Sequence, residues 1–332
     1  MLVKRYRLNT LPKLNYVFQG GLGEESMVHI YGPYQAGKTI LTIQLIYEIL
    51  SQDNVSALYI DVESSLKNNF IVEDRLNAFK ERFKFEAKIA SVGIEKYARL
   101  SKRRDRKSIS ELKRIFETVL DELEIEYDKD DLTDALHVFL KQYELKVDKS
   151  EKKCIYVLDG IQLNDLYKLL DIDAEVSSIG QKIEIKVKRQ GDPITSPLSK
   201  FIRKNNIKVI VIDSLGSLLK NLPTGLSDLP ARAVALNLLL TSLMKLTTFY
   251  KLIVIVTNHE SVNPTKDNIR IYYGGIAVGY SFKYSIHLAR KGEKRFIIVD
   301  RAPHIPDRSV KIELAINDDG FHEVTSENED FN

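Results

Sequence analysis

The chain has no tryptophan, one cysteine, three methionines and nine prolines in 332 residues. The lone thiol, Cys154, excludes an internal disulfide framework and a cysteine-rich zinc site, which fits a reducing compartment. No apolar run approaches the ~18 to 20 residues that span a bilayer. The opening MLVKRYRLNT has no apolar signal-peptide core, so a cytoplasmic protein without a membrane partner is expected. Charge of one sign is also scarce. Lys and Arg number 49 against 46 Asp and Glu, a net +3, so a nucleic-acid contact would have to rest on local basic patches. No Gly/Ser or Pro linker and no internal repeat divides the chain. What is present is 44% apolar and 29% charged residues, enough to bury one large core, with or without an insertion.

Short β-branched and aromatic runs alternate with helical patterns: MVHIY (27–31), SALYIDV (56–62), CIYVL (154–158), IKVIVID (207–213) and LIVIVT (252–257). Nearly continuous apolar strands separated by helices predict an α/β fold with a parallel sheet covered on both faces. SFKYSIHLA, RFIIV and VKIELAI follow closely with Gly-containing turns and predict an antiparallel edge. Residues 67–149 turn charged and helix-forming, with apolar positions such as Leu112, Ile115, Phe116 and Leu120 at helical spacing, so a helical insertion is expected between core segments 1–66 and 150–332. Within the irregular stretch 171–195, Ile183, Ile185 and Val187 alternate with Lys182, Glu184, Lys186 and Lys188, which predicts a half-exposed strand in a hairpin.

Between the first run and a helical pattern stands Gly32-Pro33-Tyr34-Gln35-Ala36-Gly37-Lys38-Thr39, followed by Ile40. A Gly-x4-Gly-Lys-Thr segment in a strand-to-helix context is a phosphate-binding loop. Its backbone N–H groups surround the phosphates of ATP, Lys38 neutralises the β/γ oxygens, and the Thr39 hydroxyl reaches Mg²⁺. Asp213 ends an apolar strand, where a carboxylate can hold the Mg²⁺ shell; the same position also suits a helix cap. Glu63, after the next strand, can polarise the attacking water, or is simply an exposed loop acid. The six histidines form no metal-ligand cluster, so Mg²⁺ is the metal expected.

The order GPYQAGKT, LYIDVES, VIVIDSLGSLL, IVIVTNHE and then YYGGIAVGYSFKYSIHLARKGEKRFIIVDRAPHIPDRSVKIELAINDDG resembles the ATPase core of the RecA superfamily. It is most similar to the archaeal RadA/RadB group and its eukaryotic recombinase relatives, over roughly 8–65 and 150–325. The resemblance implies a RecA-like P-loop core, Glu63 as general base, and Lys67 where the family stacks an arginine on adenine. It places a first DNA loop at 219–228, before the helix that begins Leu229-Pro-Ala-Arg232, and a second at 260–273. Lys220, Lys266, Arg270, Tyr272 and Tyr273 are then the candidates for contacting single-stranded DNA. His259 stands where the family has Gln after its sensor strand, so γ-phosphate sensing is expected to be altered or lost. The basic run Lys102-Arg103-Arg104-Asp105-Arg106 contacts DNA or a protein, or is a solvated face.

Neither the helix-hairpin-helix domain nor the Phe-x-x-Ala segment of full recombinases appears, which argues against an independent filament. The resemblance implies a RadB-like paralogue that binds and slowly hydrolyses ATP. It would assist or regulate homologous recombination with single-stranded DNA, a recombinase partner, or both, as a homo- or hetero-oligomer. A KaiC-like regulatory ATPase acting without DNA, and an inactive subunit that only binds nucleotide, remain as other readings.

Overall fold

Continuous apolar runs need cover on both faces, and they form the middle of one large sheet. The computed structural model describes residues 3–66, 70–98, 114, 117, 141–146, 153–179, 182–220, 229–262 and 270–324. Its strands are β1 (Arg5–Tyr6), β2 (Leu22–Gly23), β3 (Ser26–Gly32), β4 (Ser56–Asp61), β5 (Lys88–Ser91), β6 (Gly93–Ala98), β7 (Lys141–Lys146), β8 (Cys154–Asp159) and β9 (Ile172–Ile179). They continue as β10 (Lys182–Gln190), β11 (Ile207–Asp213), β12 (Ile253–Val262), β13 (Arg270–Tyr272), β14 (Tyr284–Lys291), β15 (Lys294–Arg301), β16 (Lys311–Asn317) and β17 (Gly320–Glu323). Helices α1 (Pro12–Val17), α2 (Lys38–Gln52), α3 (Phe70–Phe83), α4 (Leu163–Leu169), α5 (Pro197–Lys204), α6 (Leu215–Leu218), α7 (Leu229–Tyr250) and α8 (Gly275–Ser281) lie among them.

The sheet runs β17-β16-β15-β14-β3-β12-β11-β4-β8-β5, with β13 paired to β12. From β14 to β5 every pairing along that path is parallel, and β14 to β17 are mutually antiparallel, as the sequence predicts. The central strands β3, β4 and β11 are buried along nearly their whole length, as is β12 over 253–258, so both faces of the sheet are covered there. β9 and β10 form the expected hairpin, with a bulge between Val187 and Arg189.

The expected boundary at 67 differs from the division of the chain into compact units, Met1–Val92 with Val147–Asn332 and, separately, Gly93–Lys146. β5 pairs with β8 in the main sheet. In α3, Phe79 is fully buried with its ring centroid 5.4 Å from Tyr47, and Leu76 and Phe83 pack on the same core. An amphipathic helix buries one stripe whichever surface receives it, so periodicity did not distinguish the core from an insertion. In the second unit the antiparallel pair β6 and β7 is described, with Gly93 opposite Lys146. The basic run 102–106 lies outside the described residues.

One expectation about apolar length needs correction. Pro230–Tyr250 of α7 is long and apolar enough to cross a bilayer by length and composition. Its face bearing Leu236, Leu239, Leu240, Leu243 and Leu246 is buried in the fold, while Val234, Met244 and Phe249 of the same helix are exposed.

Candidate active site

The phosphate-binding sequence joins β3 to α2 and is shaped by two close approaches. A Cβ on Gly32 would lie 2.2 Å from the Leu288 carbonyl oxygen, and one on Gly37 would lie 2.7 Å from Phe321 Cζ. Gly37 also has φ +101°, a left-handed conformation that favours glycine. It caps α2, whose first turn has no acidic residue and no side-chain cap, so backbone N–H groups and the positive helix end face the loop. Ala36 is buried, Tyr34 is exposed, and Ile40 is partly buried against the core. Lys38 Nζ donates to the carbonyls of Gly32 and Pro33 at 2.9 and 2.8 Å. Burial pushes its pKa down, opposed by the charges of Asp213, Glu63 and Glu260.

Asp213, at the end of β11, is 6% exposed and meets three hydroxyls. Thr39 Oγ1 donates to Oδ2 at 2.7 Å, Tyr59 Oη donates to the same oxygen at 2.5 Å, and Thr257 Oγ1 donates to Oδ1. Burial and the adjacent Asp213 push the Tyr59 phenol well above its ordinary pKa, so it remains a donor. The strand register brings these groups together: β11 lies between β4, which carries Tyr59, and β12, which carries Thr257.

Glu63 follows β4 in a turn fixed by buried Asp61, whose oxygens accept from the Ser65 amide at 3.0 Å and the Leu66 amide at 2.7 Å. The Val62 amide also donates to the Asp213 carbonyl at 2.8 Å. Glu63 Oε1 accepts from Ser217 Oγ, from Ser214 Oγ at 3.2 Å and from Lys220 Nζ at 3.0 Å; His259 Nε2 lies 3.0 Å away. The His259 hydrogen bond contributes most to holding this carboxyl well below the ordinary range; Ser217 and Lys220 assist and burial opposes them. His259 Nε2 is also 3.1 Å from Ser214 Oγ.

Gly216 permits this convergence, since a Cβ there would sit 3.1 Å from Asn258 Oδ1 and 3.3 Å from His259 Cδ2. Asn258 Nδ2 donates to the Tyr273 carbonyl at 2.7 Å, and the Tyr273 amide donates to the His259 carbonyl at 3.1 Å. The hairpin of β12 and β13 is thus bonded to the residues beside Glu63. On the other side of the loop, His287 bonds Glu260 and stacks on Tyr31 with centroids 4.7 Å apart. An open cleft of about 580 Å³ there is lined by Pro33, Glu260, His287, Ala289, Arg290 and Gly292.

Lys38, Thr39, Asp213, Glu63, His259 and Lys220 therefore gather at the carboxyl ends of adjacent strands. Tyr272 and Tyr273, proposed from the resemblance as base-stacking residues, are both partly buried. Tyr272 meets His29 and Tyr31 edge-on at 4.9 and 5.2 Å, and Tyr273 Oη accepts from Arg232 at 2.5 Å. Lys67, Lys266, Lys102, Arg103, Arg104 and Arg106 lie outside the described residues, as does the Arg270 side chain. Tyr59, Thr257, Ser214 and Ser217 were not singled out from sequence. The alternation of Tyr59 and Thr257 within apolar runs was the available signal, but only strand pairing directs both to Asp213.

A phosphate loop on the β3-to-α2 turn, with Asp213 ending β11 on the far side of the intervening strand β12 in one parallel sheet, fits a RecA-like P-loop core. A KaiC ATPase family model matches residues 9–153, and a Rad51 family model matches residues 186–324. The chain is thus similar to the KaiC family over its first part and to the Rad51 family over its last, on a fold consistent with a RecA-like core. Similar proteins include the DNA repair and recombination protein RadA of Methanococcus maripaludis strain C5, 36% identical over 106 residues, which are 31% of this chain and 33% of the relative. RadA of Methanococcus voltae is 35% identical over 106 residues, again 31% and 33% of the two chains. RadA of Aeropyrum pernix is 29% identical over 122 residues, 34% of this chain and 37% of the relative. The chain thus spans about a third of the length of these curated relatives.

Proposed function

We propose that the protein binds and hydrolyses ATP in support of DNA recombination and repair, as a RadB-like recombinase paralogue. The observation that carries this reading is the convergence of Lys38, the Thr39–Asp213 pair and Glu63 at neighbouring strand ends. The loop amides and Lys38 bind the phosphates, because an ammonium beside a helix N-terminus complements their charge. Thr39 and Asp213 present a hydroxyl and a carboxylate 2.7 Å apart, hard oxygen donors that fit Mg²⁺. When bound, Mg²⁺ supplies charge neutralisation and orientation of the phosphate oxygens. Glu63 orients water and accepts its proton at a carboxylate oxygen, and His259 holds that carboxylate in place.

Single-stranded DNA reaches the site through Lys220 and the hairpin beyond His259, with a recombinase of the same cells as partner. The RadA names of the relatives and the Rad51 match over 186–324 support this reading. The test is ATP turnover with Mg²⁺, with and without an oligo-dT strand, alongside capture of a recombinase on the immobilised protein. Turnover that rises with the strand, together with recombinase capture, is expected; no turnover and no strand binding would overturn the reading. The KaiC match over 9–153 favours a second reading, a regulatory ATPase whose nucleotide state controls protein assembly. That alternative predicts ATP-dependent change of assembly state with no response to the strand.

A further inference from the structure

Two chain segments proposed to face DNA meet the nucleotide site at one atom. Lys220 follows α6 and places Nζ 3.0 Å from Glu63 Oε1, while His259, at the start of the other segment, places Nε2 3.0 Å from the same oxygen. Ser214 and Ser217 also bond Oε1, so among the described residues the side-chain partners of this oxygen come from α6 with its flanking residues and from β12. These contacts differ in exposure. His259 lies on β12 and Ser214 caps α6, and the two elements pack closely at Gly216, whereas the Lys220 side chain is 60% exposed where it pairs with Glu63.

An ammonium beside a carboxylate stabilises the ionised form and weakens it as a base, and a general base works best with its pKa near the working pH. The other cation influencing this region is Lys38, whose charge is coupled to Glu63 across the phosphate loop. On the proposed function Lys38 is taken by the nucleotide phosphates, which leaves the exposed Lys220 as the cation beside Glu63 that a strand phosphate can take. An exposed ion pair is weakly held and screened by salt, whereas a nucleic-acid strand brings a dense row of phosphates.

We propose that Lys220 is a latch on Glu63: it holds the carboxylate in an ion pair until a phosphate of a bound single strand takes its ammonium and releases the carboxylate to act on water. Lys220 is a positioning residue, since it acts through Glu63. The latch rests on the reading of Glu63 as the base and of the strand as DNA.

The experiment compares parent, Lys220→Ala and Lys220→Arg for ATP turnover with and without oligo-dT. Alongside it, the Glu63 carboxyl carbon is followed by NMR in glutamate-labelled protein without ATP. Lys220→Ala is expected to raise strand-free kcat by about tenfold with little change in KM, and to bring stimulation by the strand close to unity. Lys220→Arg restores low strand-free turnover and stimulation. The Glu63 carboxyl titrates higher in Lys220→Ala than in the parent, and oligo-dT moves the parent in the same direction. Strand-free turnover that is unchanged or lower in Lys220→Ala, in an active enzyme, overturns the latch. If all three proteins are inactive, the ATPase reading fails and the carboxyl signal decides the latch: a rise in Lys220→Ala and with oligo-dT supports it, and an unmoved signal overturns it.

Discussion

Asp213 and Glu63 stand at the ends of paired strands, β11 and β4, yet their surroundings differ in kind. Asp213 is 6% exposed and meets neutral hydroxyls from α2, β4 and β12. Glu63 has a 30% exposed side chain and meets Lys220, His259 and two serines of the neighbouring turn. Neutral donors orient a carboxylate without cancelling its charge, so it remains available to a cation. A cationic partner cancels the charge and can be drawn away. On the proposed function, one half of the site would then be a fixed platform for phosphate and metal, and the other an adjustable base whose strength depends on its neighbours.

The largest expected effect breaks the platform. Lys38→Ala removes the ammonium at the phosphate loop and is expected to weaken ATP binding by about 100-fold or more, measured by calorimetric titration. Lys220→Ala, on the adjustable side, should leave that affinity within about twofold. Equal losses in the two variants would erase the distinction.

His29 sharpens the comparison through pH. It lies fully buried in β3, bonded through Nδ1 to Ser285 Oγ at 3.1 Å, and desolvation lowers its pKa to about 3. The unfolded chain, with an ordinary histidine pKa of about 6.5, binds the extra proton between these values, so this group makes stability fall as pH drops from about 6.5 towards 3. His29→Leu should remove roughly 2 kcal/mol of the loss in unfolding free energy between pH 7 and pH 5, read from urea midpoints. An undiminished acid loss would show that His29 is not kept neutral by burial.

A smaller effect is expected at the turn between the two halves. Gly216→Ala places a Cβ against Asn258 and His259 and should cost about 1 kcal/mol by urea unfolding, through overpacking. It should also reduce turnover without changing ATP affinity. The smallest effect is that of His259→Gln. The amide can still donate to Glu63, so ATP binding should match the parent and turnover should stay within about threefold. A loss as large as that of His259→Ala would mean that the imidazole does more than hold the carboxylate.

The phosphate loop was legible because its spacing, its two functional glycines and its strand-to-helix setting constrain one another. Asp213 was legible as an acidic end to an apolar run, and the parallel sheet with its antiparallel edge followed from runs that need burial on one face or both. The partners that distinguish the two carboxylates were not legible. Tyr59 and Thr257 reach Asp213 through strand register, and Ser217 and Lys220 reach Glu63 from a short helix, α6, and the turn after it, where Gly216 allows the helix to lie close against β12. The placement of α3 and β5 was missed for a related reason: an apolar stripe specifies burial, but it does not name the surface that covers it. Tyr272 and Tyr273 entered as stacking candidates from the resemblance to a DNA loop; the edge-on contacts of Tyr272 with His29 and Tyr31, and the Arg232 bond to Tyr273 Oη, were not legible in the sequence.

The most direct test of the account is single-turnover hydrolysis of Mg-ATP by parent and Glu63→Gln, with ATP affinity measured on the same samples. The amide keeps the shape of Glu63 but loses the base. The account predicts unchanged ATP affinity and a fall in turnover of about 100-fold or more, with or without DNA. Turnover equal to that of the parent would contradict it.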